Sequence, residues 1–153
     1  MTEKTSAQNP IEHIRQLLKA KEYEKALLYV DQVGQNNSPM KNARGVCLLR
    51  QGKIEPALKL LRDLNFAGQI CIPSDTPPLY QANYATALLM KGYNQEALEI
   101  LSGLKARQHP YVAAMHETIA EWKRGLNPFQ RLGCLLRLYP RKPVSLKYPP
   151  GSL

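Results

Sequence analysis

Three observations predict an all-α chain built from stacked helix pairs. A Leu-Leu pair is followed, after seven residues, by an Ala-Leu pair in three places: Leu17 and Leu18 to Ala26 and Leu27, Leu48 and Leu49 to Ala57 and Leu58, and Leu88 and Leu89 to Ala97 and Leu98. Apolar residues recur at steps of three and four on either side of a break, the period of an amphipathic helix. Helix starts are marked by a capping residue followed by proline, as at Asn9 and Pro10, Ser38 and Pro39, and Asn127 and Pro128. One supersecondary unit used repeatedly is too small to bury its own apolar face and must stack on its neighbours.

The elements follow in order. The first pair occupies residues 10–20 and 23–34, the second 39–51 and 54–65, and the third 78–91 and 94–105. Gly52 and Gly92 hold the same place in copies two and three, where a residue able to take positive φ ends one helix and starts the return; copy one has Lys21 there. A fourth, degenerate pair covers 110–124 and 128–139, opened by His109 and Pro110, with Gly125 at its turn. Small residues, Gly45 and Ala85 on first helices and Ala26, Ala57 and Ala97 on second helices, fall where paired helices would cross, while Leu61, Leu64, Leu101 and Leu104 fill the space between layers.

These residues resemble the tetratricopeptide repeat, a helix pair of about 34 residues with small residues at two crossing points, a Gly at the turn and an aromatic shortly after it. Copy two supplies Gly45, Gly52 and Ala57, copy three Ala85, Gly92 and Ala97, and copy one Tyr23 and Ala26. The resemblance covers roughly residues 10–105 and implies a right-handed α-α superhelix closed by C-terminal capping helices and an extended tail. The spacing departs from the family: Ala26 to Ala57 is 31 residues and Ala57 to Ala97 is 40, so an insertion, Asn65 to Pro77, separates copies two and three. Its Phe66, Ile70 and Ile72 are too apolar for a free loop. They either seal the gap between the copies or edge a binding groove.

The expected organisation is a flexible N-terminus over residues 1–9, a repeat domain over 10–139 (repeats 10–38, 39–65 and 78–109 and the degenerate pair 110–139), and an extended basic Pro-rich arm over 140–153. No apolar run is long enough to span a bilayer and Met1 to Pro10 is polar, so a cytoplasmic protein is expected. Cys47, Cys71 and Cys134 are odd in number and widely spaced, which suits reduced thiols packed as small apolar residues rather than a disulfide framework or a metal site.

The net charge of +9 is unevenly placed: from Trp122 onward there are seven basic residues and no acidic one, whereas the first 121 residues carry 14 basic and 12 acidic side chains. His13, His109 and His116 are not spaced as metal ligands, and no phosphate loop, nucleophile elbow or paired-carboxylate motif occurs. A non-enzymatic protein without metal or small-molecule cofactor is expected. Tyr111, Met115, Thr118, Ile119 and Trp122 share one face of the 110–124 helix and are expected in the core.

The resemblance implies a concave wall made by the first helix of each pair, against which an adaptor or small chaperone holds a peptide or helix of a protein partner. Its groove-facing candidates are Arg15 and Lys19 in copy one, Asn42, Val46, Leu49 and Arg50 in copy two, and Asn83, Thr86 and Met90 in copy three. Amides here can bond the backbone of a segment while an apolar side chain enters beside Leu49 or Met90. The carboxylate clamp of one subgroup of the family is not expected, because copy three has Ala82 and Asn83 in place of its cations.

The alternative is an anionic-surface binder, for membrane lipid or nucleic acid, through the basic segment 122–153, with Arg131, Arg137, Arg141, Lys142 and Lys147 as its cations. On a helical wheel Phe129, Leu132, Leu135, Leu136 and Tyr139 fall in one sector, so the stretch reads first as a helix capping the last repeat and otherwise as a face for a membrane or a partner. Beyond it Pro140, Pro143, Pro149 and Pro150 forbid helix, and apolar Val144, Leu146 and Tyr148 alternate with Ser145 and Lys147. The arm is therefore expected to pack across its own domain or across a second copy in a homodimer.

Overall fold

Eight helices and no strand make up the described residues of the computed structural model, which are 9–34, 36–104 and 108–153. The helices are α1 (Pro10–Lys19), α2 (Tyr23–Val33), α3 (Ser38–Arg50), α4 (Ile54–Phe66), α5 (Pro78–Lys91), α6 (Asn94–Gly103), α7 (Pro110–Arg124) and α8 (Pro128–Leu135). The expected flexible N-terminus lies outside the described residues save for Asn9, as does Lys105 at the expected end of the sixth helix.

The local signals act as the chemistry requires. The Asn9 side chain accepts a hydrogen bond from Ile11 N, His109 Nδ1 accepts one from Tyr111 N, and Asn127 and Gln130 form a reciprocal capping box at α8. At the second pair the cap is Asn37, whose Oδ1 accepts from Met40 N, and not Ser38; Ser38 and Pro39 are already the first two helical residues. Gly52 and Gly92 take φ of 72° and 90°, and Lys21, in the equivalent place, is forced to φ 60°. Gly125 has φ −78°, so the α7 to α8 connection is not the turn of the earlier copies. It has two further residues, Leu126 and Asn127, before proline reopens the helix.

Small residues sit at the crossings. Ala26, Ala57, Ala85 and Ala97 are fully buried, and a Cβ on Gly45 would lie 2.6 Å from Leu61 Cδ2, so α3 and α4 meet there with no room for a methyl. Two clusters form the interior. One gathers Ile14 and Leu18 of α1, Ala26 and Val30 of α2, and Met40, Ala43, Val46 and Cys47 of α3; the other runs from the far side of α3 through α4, α5 and α6 to Val112, Met115 and Ile119 of α7 and includes Val144 of the arm. α3 and α5 are thus buried on nearly every side. Full burial of each Leu, Ile or Met is worth about 1.5–3 kcal/mol, which is what holds units together that could not stand alone.

The insertion divides its work. Asn65, fully buried, donates to Leu61 O and Tyr80 O, Phe66 meets Tyr84 edge-on at 5.9 Å, and Ile72 packs on the main cluster, so the segment does close the space between α4 and α5. Ile70 stands 96% exposed and takes no part.

The largest correction concerns the last helix. α8 ends at Leu135 and has no buried residue: Phe129, Leu132, Leu135 and Leu136 are exposed, and Gln130, Gly133 and Cys134 form its inner side. The amphipathic stretch is therefore not a cap on the last repeat. α7 and the arm do that, because Met115, Ile119 and Trp122 already occupy the available apolar face and Val144 and Tyr148 complete it.

Candidate functional site

The candidate groove residues lie on two helices at matched intervals. Asn42, Val46, Leu49 and Arg50 follow one face of α3 at i, i+4, i+7 and i+8, and Asn83, Thr86 and Met90 follow the facing stripe of α5 at i, i+3 and i+7, the spacings of a single helix side. The stripe is covered by the chain's own arm, residues 140–153, which is extended and lies across its own domain.

The arm enters where the Asn94 amide donates to Pro140 O at 2.7 Å and Lys142 O at 2.8 Å. It crosses the turn at Gly92, where a Cβ would lie 3.1 Å from Lys142 C, and Val144 N then donates to Leu89 O at 3.0 Å. The same glycine thus provides positive φ for the turn and clearance for the arm. Val144 is buried, Lys147 Nζ pairs with Glu121 at 2.6 Å, and Tyr148 meets Tyr111 edge-on at 5.4 Å. Met90 and Ile54 face Val144, Leu146, Tyr148 and Pro150 across a shallow recess.

The tightest recognition is at the end of the arm. Arg50 donates from Nε to Pro150 O at 2.6 Å and from Nη2 to Gly151 O at 2.9 Å, while Gly151 N donates to the Tyr111 hydroxyl at 2.6 Å. Asn83, fully buried, reads Ser152 on both sides: its Nδ2 donates to Ser152 O and its Oδ1 accepts from Ser152 N, each at 2.9 Å. That Nδ2 also donates to Asn42 Oδ1 at 2.9 Å, which fixes the amide's orientation. Thr86 donates to Ala82 O and is 2.6 Å from the Tyr111 hydroxyl, so it orients the group that receives Gly151 N. Val46 sets the distance of closest approach, since a Cβ on Gly151 would come within 3.0 Å of it; with φ 80°, that position favours glycine twice. Leu153 packs on the α1, α2 and α3 cluster, and Arg15 and Lys19 line a recess beside Pro149, Ser152 and Leu153.

Every bond from a side chain of the helices to the end of the arm goes to arm backbone. The face therefore reads an extended main chain and, at two positions, shape. Burial raises the Tyr111 hydroxyl's affinity for its proton, with Thr86 and Gly151 N acting in the opposite sense, so the group is a neutral phenol. Tyr148 is likewise raised, first by burial and then by Tyr111.

Of the expected groove residues, Asn42, Val46, Arg50, Asn83, Thr86 and Met90 are brought together along the arm; Arg15, half-buried and paired with Glu12, and Lys19, exposed, sit near its end. Leu49 belongs to the main core. Asn94 and Tyr111 were not among the expected groove residues, because the first opens a second helix and the second lies on the face of α7 expected in the core. Their importance depends on where the arm passes. The cations of the alternative site do not converge: Arg131 bonds Arg124 O, Lys147 bonds Glu121, and Arg137, Arg141 and Lys142 are exposed around α8 and the root of the arm.

The histidines and cysteines show no shared centre. His13 stacks edge-on with Tyr29 at 4.5 Å, and His109 caps α7. Among the described residues no group of three His, Cys, Asp or Glu is gathered, and no helix is long and apolar enough to cross a membrane. Only Cys47 is buried as expected; Cys71 is exposed and Cys134 is half-buried. Burial, against the opposing pull of Arg50, pushes the Cys47 thiol up to about 12.

No family model, curated protein or solved structure matches the chain.

Proposed function

We propose that the chain is a non-catalytic, tetratricopeptide-like binding module whose α3 and α5 face takes up an extended peptide segment, and that its own arm is the segment held in the resting state. The observation that carries this reading is the pairing of Asn83 with both backbone groups of Ser152, beside the two-pronged contact of Arg50 with Pro150 and Gly151. Bonds of this kind are indifferent to most side chains, so a partner's segment with a small residue opposite Val46 satisfies them equally well. The arm is then a competitor at high effective concentration, and a partner must outbid a tethered ligand. An adaptor or small chaperone working in the cytoplasm is the role this arrangement suits.

The test is exchange. A protease site placed in the exposed stretch at Arg137 and Leu138 allows the arm of the folded full chain to be cut and its retention followed. Uptake of a labelled peptide of residues 140–153, faster in a variant carrying Arg50→Ala, supports the proposal. A cut arm that never exchanges, or whose departure unfolds the helices, makes it a structural strap and refutes the binding role.

A further inference from the structure

A second surface is independent of the arm's groove. Within ten residues Phe129 is 87% exposed, Leu132 58%, Leu135 81%, Leu136 67% and Leu138 68%. Single exposed leucines need no explanation, but a contiguous group does.

The group is presented rather than frayed. α8 is held at its start by the Asn127 and Gln130 capping box, and its end is closed by Leu138 N donating to Gly133 O at 2.8 Å. A Cβ on Gly133 would stand 3.0 Å from Leu138 O, so the tight fold-back leaves room for nothing larger there. Two residues later Asn94 grips Pro140. With both ends anchored, the inner side is Gln130, Gly133 and Cys134 and the apolar side faces water.

The charged side chains of its own segment are of one sign. Residues 122–153 hold seven basic side chains and no acidic one, and Arg124, Arg131, Arg137, Arg141 and Lys142 are exposed. Glu121 is engaged by Lys147, and Glu99, beside Arg137 and Tyr139, is the acidic neighbour on the repeat side. We infer that the apolar face of α8 and its following turn docks on an anionic lipid surface, Phe129, Leu132, Leu135, Leu136 and Leu138 entering the acyl boundary and the flanking arginines meeting headgroup phosphate. A polyanion without hydrocarbon, such as nucleic acid, would satisfy the arginines and leave the leucines in water. A lipid surface satisfies both, and its plane requires no shape match from a helix of eight residues. Affinity is modest and falls with salt, because one short helix with a basic rim is a weak anchor.

Flotation of the full chain with vesicles of phosphatidylcholine alone and of phosphatidylcholine with phosphatidylserine tests this. Binding to the mixed vesicles only is expected. Leu132→Asp with Leu135→Asp should abolish it without moving the thermal midpoint, since both side chains are exposed, and Arg137→Gln and Arg141→Gln should each weaken it about fivefold. Failure to float on mixed vesicles at low salt overturns the inference. Equal binding to neutral vesicles overturns its electrostatic half. Binding of a single-stranded oligonucleotide that survives the leucine changes assigns the surface to nucleic acid, and a dimer in solution that those changes dissolve assigns it to a second copy; either result also overturns the inference. None of these outcomes depends on exchange of the arm.

Discussion

Replacing Asn83 by aspartate changes one atom at the point where α3, α5 and the arm meet. The native amide makes three hydrogen bonds at 2.9 Å, two donated and one accepted, in a site with no solvent exposure. The variant keeps the acceptor for Ser152 N but turns a carboxylate oxygen toward Ser152 O and Asn42 Oδ1. Removing the amide altogether, as in Asn83→Ala, costs about 3–4 kcal/mol, from three bonds worth about 1 kcal/mol each and the penalty on partners left unpaired in the interior. That is a large part of the roughly 5–15 kcal/mol that holds a domain of this size. Asn83→Asp should cost at least as much at neutral pH, and its cost should depend on pH. Burial opposes ionisation, so the introduced carboxyl has a folded-state pKa raised above its unfolded value of about 4. Its protonated form can donate one of the lost bonds. Stability of the variant relative to wild type is thus highest below about pH 4, falls as pH rises beyond that value, and levels off above the raised native pKa. Urea unfolding followed by circular dichroism across this range measures the difference. In a chain lacking residues 150–153 the same substitution should cost only about 1 kcal/mol, the share of the Asn42 bond. A cost independent of pH, or unchanged by the deletion, would refute the idea that Asn83 acts through the arm.

Gly52 and Gly92 offer a paired comparison. Alanine at Gly52 meets nothing within 4 Å and should lose about 1 kcal/mol from backbone strain alone, whereas Gly92→Ala adds a collision with Lys142 and Pro143 and should lose about 1–3 kcal/mol more, with protease cleavage appearing first in the arm. Lys21→Gly relieves the unfavourable φ of 60° and should raise stability by about 0.5–1 kcal/mol in thermal melts. Gly45→Ala should destabilise by about 1–3 kcal/mol, because the methyl meets a fully buried Leu61 that has nowhere to move, and Leu61→Val should restore part of the loss in a double-mutant cycle. With a thiol reagent at neutral pH, Cys71 should react at once and Cys47 only on global unfolding, since its sulfur is both enclosed and held protonated; prompt labelling of Cys47 would mean that the α1, α2 and α3 cluster opens in solution.

Much of this architecture is local and therefore legible in the order of residues. The Leu-Leu and Ala-Leu spacing, the prolines after Asn9 and Asn127, and the glycines at 52 and 92 act within a turn or two of themselves, through periodicity, capping and permitted φ. They determine eight helices, their boundaries to within a few residues, and the crossings at Gly45 and the alanines. Helical spacing sets Asn42 and Arg50 on one side of their helix, but that this side and Asn83 form a common wall was an expectation implied by the resemblance to the tetratricopeptide repeat. What covers that face is a different kind of question. Arg50 and Gly151 are joined by a hydrogen bond that spans 101 residues of chain, and no local propensity of either encodes it. An exposed-looking amide stripe and a Pro-rich tail each had several plausible partners, and tertiary packing chose the tail because Val144 and Tyr148 find apolar recesses while Arg50, Asn83, Asn94 and Tyr111 bond the backbone between them. The same competition decided α8. Its amphipathic pattern states that one side is apolar; whether that side faces inward depends on whether the core has room, and α7 with the arm had already taken it.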